Sequence, residues 1–204
     1  MKGLLLKDFY TLVGQMKLFL LMIAIFTLVP NFSMSGFAIV YAAMLPITAL
    51  AYDERSKWTQ LAAMMPYTPA ELVVSKYILG YAMVAGAFVL SLIAQTVMGL
   101  IKGAPIGGMD VFVVFVTANI ALLIQAANLP LIFHFGVEKG RMLFMGIIAT
   151  MVFIGMGAGT FLLTLFGNAP SGLLRWAALA GIVTFILNIL SIRIAVRMYE
   201  KREN

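Results

Sequence analysis

Five amide side chains stand within long apolar stretches: Gln95, Asn119, Gln125, Asn128 and Asn188. An amide both donates and accepts hydrogen bonds and is costly to leave unpaired away from water. Two kinds of chemistry suit such residues. They can bond helix to helix, worth about 1 kcal/mol each, or they can line a wet path for a cargo with polar groups. Both readings are open for Gln95, Asn119, Gln125 and Asn128. His134 is the sole histidine, flanked by Phe133 and Phe135 with no adjacent carboxylate. One such group is a poor metal site, and packing at an interface is the simpler reading. No metal site and no catalytic residue is expected.

The ionisable residues are informative by where they are missing. No Asp, Glu, Lys or Arg falls at the expected centre of a long apolar segment. Proton relays and voltage sensors place ionisable groups there, so these classes lose support. Sodium coordination by carbonyls and amides is not excluded. The chain holds no G-x-x-x-x-G-K-[ST] phosphate loop, no G-x-S-x-G and no H-E-x-x-H;. It has no cysteine, hence no disulfide, thiolate metal site or thiol nucleophile;.

These residues must be held by membrane helices. Of 204 residues, 63% are hydrophobic and 11% charged, with a mean hydropathy of +1.04. A soluble domain has too little interior to hide that much apolar surface. A spanning helix needs about 20 apolar residues, and the sequence has room for six, in a single membrane domain over residues 1–204. The start, Met1 to Lys17, has scattered charges and no small-residue cleavage site, so a retained segment is expected;.

The order of elements follows from punctuation and periodicity. Residues 2–16 read as an amphipathic surface helix, with Leu5, Phe9, Leu12 and Met16 on one stripe and Lys7, Asp8, Thr11 and Gln15 off it;. The first span runs from Met16 to Pro30, followed by an outer turn over Asn31–Gly36. The second runs from Gly36 to Tyr52, and Asp53-Glu54-Arg55-Ser56-Lys57 returns the chain to water. Thr68 and Glu71 have capping-box spacing and Pro69 suits a first helical position. The third span, Pro69 to Ile101, is about 48 Å long at 1.5 Å per residue, so its first turns, with Glu71 and Lys76, should stand in the cytoplasm. Lys102–Gly108 is an outer loop. The fourth span covers Met109 to Phe135, and Pro130 should kink it and free a carbonyl near the inner end. Residues 136–141 form a tight inner loop. The fifth span starts near Arg141 and meets Gly155, Gly157 and Gly159. The pair Gly155 and Gly159 permits close helix approach, possible in a dimer or within the bundle. Thr160–Pro170 reads as a short apolar return segment, and the sixth span as Gly172 to Met198.

Positive residues fix the expected orientation. On this layout Lys102 and Arg175 are outside and the other twelve of the 14 Lys and Arg are inside, so both termini are cytoplasmic. The net charge of +6 is then a topology signal and a contact for anionic lipid headgroups, with no need for nucleic acid;. Fifteen methionines suit either a bundle core or a surface that adapts to varied apolar partners;. Between the second and third spans, Trp58, Leu61 and Met65 share one helical face, and Glu54, Arg55 and Lys57 supply charges at its start. Spacing alone fits either a docking helix or a solvated loop with an anchoring tryptophan.

The succession Met1-Lys2-Gly3-Leu4-Leu5-Leu6-Lys7-Asp8-Phe9-Tyr10, then Asp53-Glu54-Arg55-Ser56-Lys57-Trp58, Met65-Pro66-Tyr67-Thr68, Val74-Ser75-Lys76-Tyr77 and Leu129–Arg141 resembles small six-helix permeases of the ABC-2 transporter superfamily. The likeness is greatest to bacterial permeases that export phenol-soluble modulins, which are amphipathic peptide toxins. The resemblance implies two permease chains, identical or different, and two separate ATPase subunits that bind ATP and magnesium in the bacterial plasma membrane. It implies that residues 2–16 form an elbow helix and that the stretch after the second span is a coupling helix. Asp53, Glu54, Arg55, Lys57, Trp58 and Leu61 would then face the ATPase. This chain would carry no cofactor. Two other classes remain: a membrane immunity or scaffold protein that binds a toxin, and an ion-coupled secondary carrier.

Overall fold

The computed structural model describes residues 2–15, 17, 21–22, 25, 32–103, 107–140, 142–143, 145–146 and 170–203. Among these the helices are α1 (Lys2–Gln15), α2 (Phe32–Ala43), α3 (Leu45–Arg55), α4 (Trp58–Ala63), α5 (Pro69–Lys102), α6 (Gly108–Phe135) and α7 (Pro170–Glu203), with no strand. Four helical stretches are long and apolar enough to cross a bilayer: Gly36–Arg55, Pro69–Ile101, Asp110–Phe135 and Leu179–Lys201. They correspond to the second, third, fourth and sixth expected spans. The expected first and fifth spans, the return segment and the Gly155/Gly159 pair lie outside the described residues.

Local chemistry sets the helix ends. At α5, Thr68 Oγ1 accepts from the Glu71 amide at 3.3 Å and the Thr68 amide donates to Glu71 Oε2 at 3.2 Å, with Pro69 first in the helix. The expected capping box is therefore present. Gly103, at φ +66°, closes α5 in the left-handed region that glycine enters without strain;. At α6, the Gly107 amide donates to the Asp110 carboxylate at 2.9 Å.

The second span differs from its expected form. The apolar span begins at Gly36 as expected, within a helix that starts at Phe32, but it runs to Arg55 rather than Tyr52 and is interrupted at Met44. Pro46 has no N–H to offer the carbonyl four residues back, so the ladder cannot run through. The chain instead turns once, with the Met44 amide on the Tyr41 carbonyl at 3.0 Å.

Burial in α7 is inverted relative to a soluble helix. Thr184, Asn188, Ser191, Ala195 and Tyr199 are buried, whereas Ile182, Val183, Phe185, Ile186 and Leu187 are exposed, Phe185 by 68%. Polar groups face protein and apolar groups face outward, as a lipid solvent requires. The inner contacts are made by small side chains. Ala38, Ala42 and Ala49 of the second span meet Ala87 of α5 and Ala118 and Ala121 of α6, around Ile39, Leu45, Leu79 and Val114. Small residues let helix backbones approach closely, which compensates for the weak hydrophobic drive in lipid. A second cluster joins Val73 and Tyr77 of α5, Leu129 and Phe133 of α6, and Ala195 and Tyr199 of α7. Within it Phe133 and Tyr199 meet edge to face at 5.6 Å.

The α5–α6 contact depends on Gly80. A Cβ there would lie 2.3 Å from Gln125 Nε2, which donates to the Tyr77 carbonyl at 3.3 Å. Gly80→Ala must therefore expel the Gln125 amide. Its melting temperature in detergent should fall, and adding Gln125→Ala should recover much of the loss. A Gly80→Ala variant as stable as the parent contradicts this packing.

Candidate functional site

Two lysines and two aspartates meet where α1, α3 and α5 converge. Lys76 Nζ lies 2.6 Å from Asp8 Oδ1 and 2.6 Å from Asp53 Oδ2. Lys7 Nζ lies 2.6 Å from Asp53 Oδ1 and 2.9 Å from Asp8 Oδ1. Asp8, Asp53 and Lys76 are buried, Asp8 to 1% exposure, and Lys7 is half-buried. The ring is closed and formally neutral. Closure matters because a lone buried charge costs several kcal/mol, and only good geometry with opposite charges offsets that. Lys7 also sits over the Trp58 ring, 4.5 Å from its centroid, which ties α4 to the same point;.

This corrects three expectations. Lys76 was expected with Glu71 in the cytoplasmic first turns of α5; it is not solvated there but buried in protein against α1 and α3. Lys7 and Asp8 were expected on a solvated face of the first helix; α1 is instead rotated so that Leu4 and Asp8 pack inward and Leu6, Phe9 and Tyr10 are exposed. Asp53 was expected in an exposed charge cluster and is buried in the ring, while Glu54, Arg55, Ser56 and Lys57 are exposed. The physical reason is common to all three: four charges that balance one another lower their joint desolvation cost by meeting. Amphipathic periodicity treats each charge singly. The available signal was the equal number of acids and bases, Lys7-Asp8, Asp53 and Lys76, at the same edge of three apolar segments.

Beside the ring lies a cavity of about 330 Å³, walled by Leu4, Leu50, Leu72, Ile132, Phe133 and Tyr199, with Trp58 and Val137 at its sides. Lys57 is the one non-glycine residue with positive φ among the described residues, at 54°, and there the chain turns from α3 into α4. Behind that turn Trp58 is half-buried. On the free side Leu61, Met64 and Met65 are exposed, Met64 by 85%.

The four amides singled out as a pathway do not gather in one place. Gln125 and Asn128 are buried on α6, Asn119 is half-buried on α6 and Gln95 half-buried on α5. Asn119 Nδ2 donates to its own helix, to the Phe115 carbonyl at 2.9 Å, and its Oδ1 looks toward Gly181 of α7. Since Gly80 meets Gln125, Gln95 lies about 22 Å further along α5 at 1.5 Å per residue;. The amides are spread along two helices and face different neighbours, Gln125 toward α5 and Asn119 toward α7. Asn128 is fully buried, and neither its Nδ2 nor its Oδ1 has a hydrogen-bond partner; Gln125 Oε1 lacks one as well. Each such group costs about 1–3 kcal/mol.

A polar seam joins α5, α6 and α7; of its side chains the sequence singled out Asn188 and not Tyr77, Tyr81 or Ser191. Pro130 frees the Ala126 carbonyl, as expected, and Ser191 Oγ donates to that carbonyl while bonding Tyr77 Oη;. Asn188 Nδ2 donates to the Thr184 carbonyl at 2.9 Å and its Oδ1 accepts from Tyr81 Oη at 2.9 Å. His134 is exposed and packs edge-on against Phe135 at 4.4 Å. No group of three or more His, Cys, Asp or Glu positioned for a metal occurs among the described residues.

An all-helical bundle with an apolar exterior, a polar seam inside and a charged ring at one end defines a multi-pass integral membrane protein. Residues 3–200 match the sequence model of the ABC-2 family transporter proteins, and the chain belongs to that family. No curated protein and no solved structure matches it. It is thus a membrane subunit of ABC-2 type whose own sequence carries no phosphate-binding loop.

Removing one member of the ring isolates its effect. Lys76→Met leaves Asp8 and Asp53 sharing only Lys7, and breaking a buried ion pair in this way costs about 3–5 kcal/mol. The variant should melt well below the parent in detergent. Asp8→Asn added to Lys76→Met restores neutrality and should regain most of the lost stability.

Proposed function

We propose that this chain is the transmembrane subunit of an ATP-driven exporter, powered by a separate ATPase chain that docks on α4. The observation that carries the reading is the outward apolar face of α4. Leu61 is exposed on this short helix, and Met64 and Met65 are exposed in the turn that directly follows it, outside any span, with Arg55 and Lys57 exposed beside them. A soluble apolar face has reason to persist when a partner covers it. Membership in the ABC-2 family and the missing phosphate loop point to a nucleotide-binding partner.

In this reading ATP and magnesium are held on the partner, and two permease chains, identical or different, form the transport unit in a bacterial plasma membrane. Leu61 and the two methionines enter the ATPase groove, and Arg55 and Lys57 set the register by charge. Trp58 braces α4 against Lys7. Asp53 and Glu54 hold the segment from the bundle side. The cargo is an amphipathic peptide or hydrophobic compound that leaves the cell. The amides Gln95, Asn119, Gln125 and Asn128, spread along α5 and α6, suit the polar groups of such a cargo, and the apolar side chains around them suit its hydrocarbon. Both termini are cytoplasmic in this arrangement, in keeping with the distribution of lysine and arginine.

Two experiments test it. Leu61→Asp with Met64→Asp should weaken copurification of the ATPase by about 2 kcal/mol or more, roughly a thirty-fold loss of affinity, as for buried apolar anchors. Undiminished copurification contradicts docking on α4. The chain has no cysteine, so single cysteines report topology directly. Gly107→Cys should react with an impermeant thiol reagent in intact cells and Ser56→Cys should not; the reverse pattern overturns the orientation.

A further inference from the structure

Glu54 follows Asp53 directly but sends its carboxylate elsewhere. Its Oε2 accepts from the Val137 amide at 3.1 Å, across 83 residues of chain. Val137 opens the helical turn of residues 137–140, just after α6. Ile47 of α3, with Leu50 and Ala51, packs on Ile132 and Val137 around this bond. The contact is thus an apolar patch with one charge-assisted hydrogen bond to fix its register.

The segment that Glu54 grips is stiffly joined to the end of α6. Gly136 turns at φ +81°, which a side chain would strain, while its amide still bonds the Ile132 carbonyl at 2.9 Å;. The Gly140 amide returns to the Gly136 carbonyl at 3.0 Å. A Cβ on Gly140 would stand 2.6 Å from Ile132 Cγ1 and 3.1 Å from Ile132 Cα. Residues 136–140 therefore fold hard onto Ile132, and a displacement of Val137 carries that turn with it.

Above Ile132 the helix ladder lacks one of its own hydrogen bonds. Pro130 supplies no N–H, and the Ala126 carbonyl is bonded by Ser191 of α7 instead;. The turn immediately before it carries Asn128, whose amide is buried without a partner.

We propose that Glu54 is a positioning residue that transmits motion of α4 to the end of α6, so that α6 bends at Pro130 and the turn bearing Asn128 is displaced. Glu54 touches neither nucleotide nor cargo. The ring ties α3 to α1 and α5, and Glu54 ties the same α3 terminus to α6. Two consecutive carboxylates thus distribute one movement to different helices. This rests on the docking of an ATPase at α4.

The test uses the full permease–ATPase complex in lipid nanodiscs. Spin labels are attached at Phe135→Cys and Ile186→Cys, both at exposed positions on either side of the α6–α7 contact. Their separation is measured by double electron–electron resonance without nucleotide and with ATP plus orthovanadate. The separation should shift between the two conditions in the parent. Glu54→Gln, which keeps an acceptor oxygen, should retain the shift. Glu54→Ala, and Val137→Pro, which deletes the donor at a position where proline fits a helix start, should both lose it while the bound ATPase still hydrolyses ATP. A full shift in Glu54→Ala and Val137→Pro overturns the proposal. So does a parent complex that hydrolyses ATP without any shift, and that result leaves docking at α4 intact. A parent preparation that carries no ATPase overturns the docking reading and the transmission role with it.

Discussion

Lys76 sits inside the bundle as a charge, and nothing in an apolar surround would tolerate it there without Asp8 and Asp53;. That requirement fixes the rotation of α1, because Asp8 must turn inward, and the end of α3, because Asp53 must reach the same ammonium. Lys7 completes the balance and in doing so places Trp58, hence α4, beside it. One neutral set of four charges thereby positions the elements on which any soluble partner would act. An ion ring is also intolerant of partial loss, since each member removed leaves another unpaired. It joins its helices as a unit.

The rest of the bundle obeys the same constraint in milder form. Lipid offers no hydrogen bonds, so Asn188, Ser191 and Thr184 turn toward protein and the exposed face of α7 is hydrocarbon;. The freed Ala126 carbonyl at Pro130 is met by a hydroxyl from the neighbouring helix. Alanine contacts close the remaining distance between helices. Against this background the unpartnered amide of Asn128 stands out. A side chain so placed costs stability in the state observed.

Much of the fold was legible. The boundaries of α5 followed from Thr68, Pro69 and Glu71, and the weak point of α6 from Pro130, because caps and prolines act through local backbone chemistry that sequence records directly. The second, third, fourth and sixth spans followed from hydropathy. What periodicity misread was α1 and its neighbours. The apolar spacing read through Leu5 and Phe9 does not set the rotation of the helix; the pairing of Asp8 with a residue 68 positions away does. The break at Met44 was signalled by Pro46 and passed over, because hydropathy averages across a proline. Of the candidate residues, Trp58 and Leu61 sit on one short helix as expected, while Asp53 and Glu54 point back into the bundle through contacts with distant segments. The partners of both, Lys76 and Val137, are set by tertiary packing that a single sequence does not spell out.

On the proposed reading this ABC-2 family chain is worked from outside the membrane through α4, with Asp53 and Glu54 behind it as the mechanical link. Imaging the complex purified from its native membrane by electron cryomicroscopy tests this most directly. The account predicts a nucleotide-binding subunit seated over Leu61, Met64 and Met65, with Asp53 still in the ring and Glu54 still on the Val137 amide. A complex in which the ATPase contacts other segments and α4 lies uncovered would contradict it.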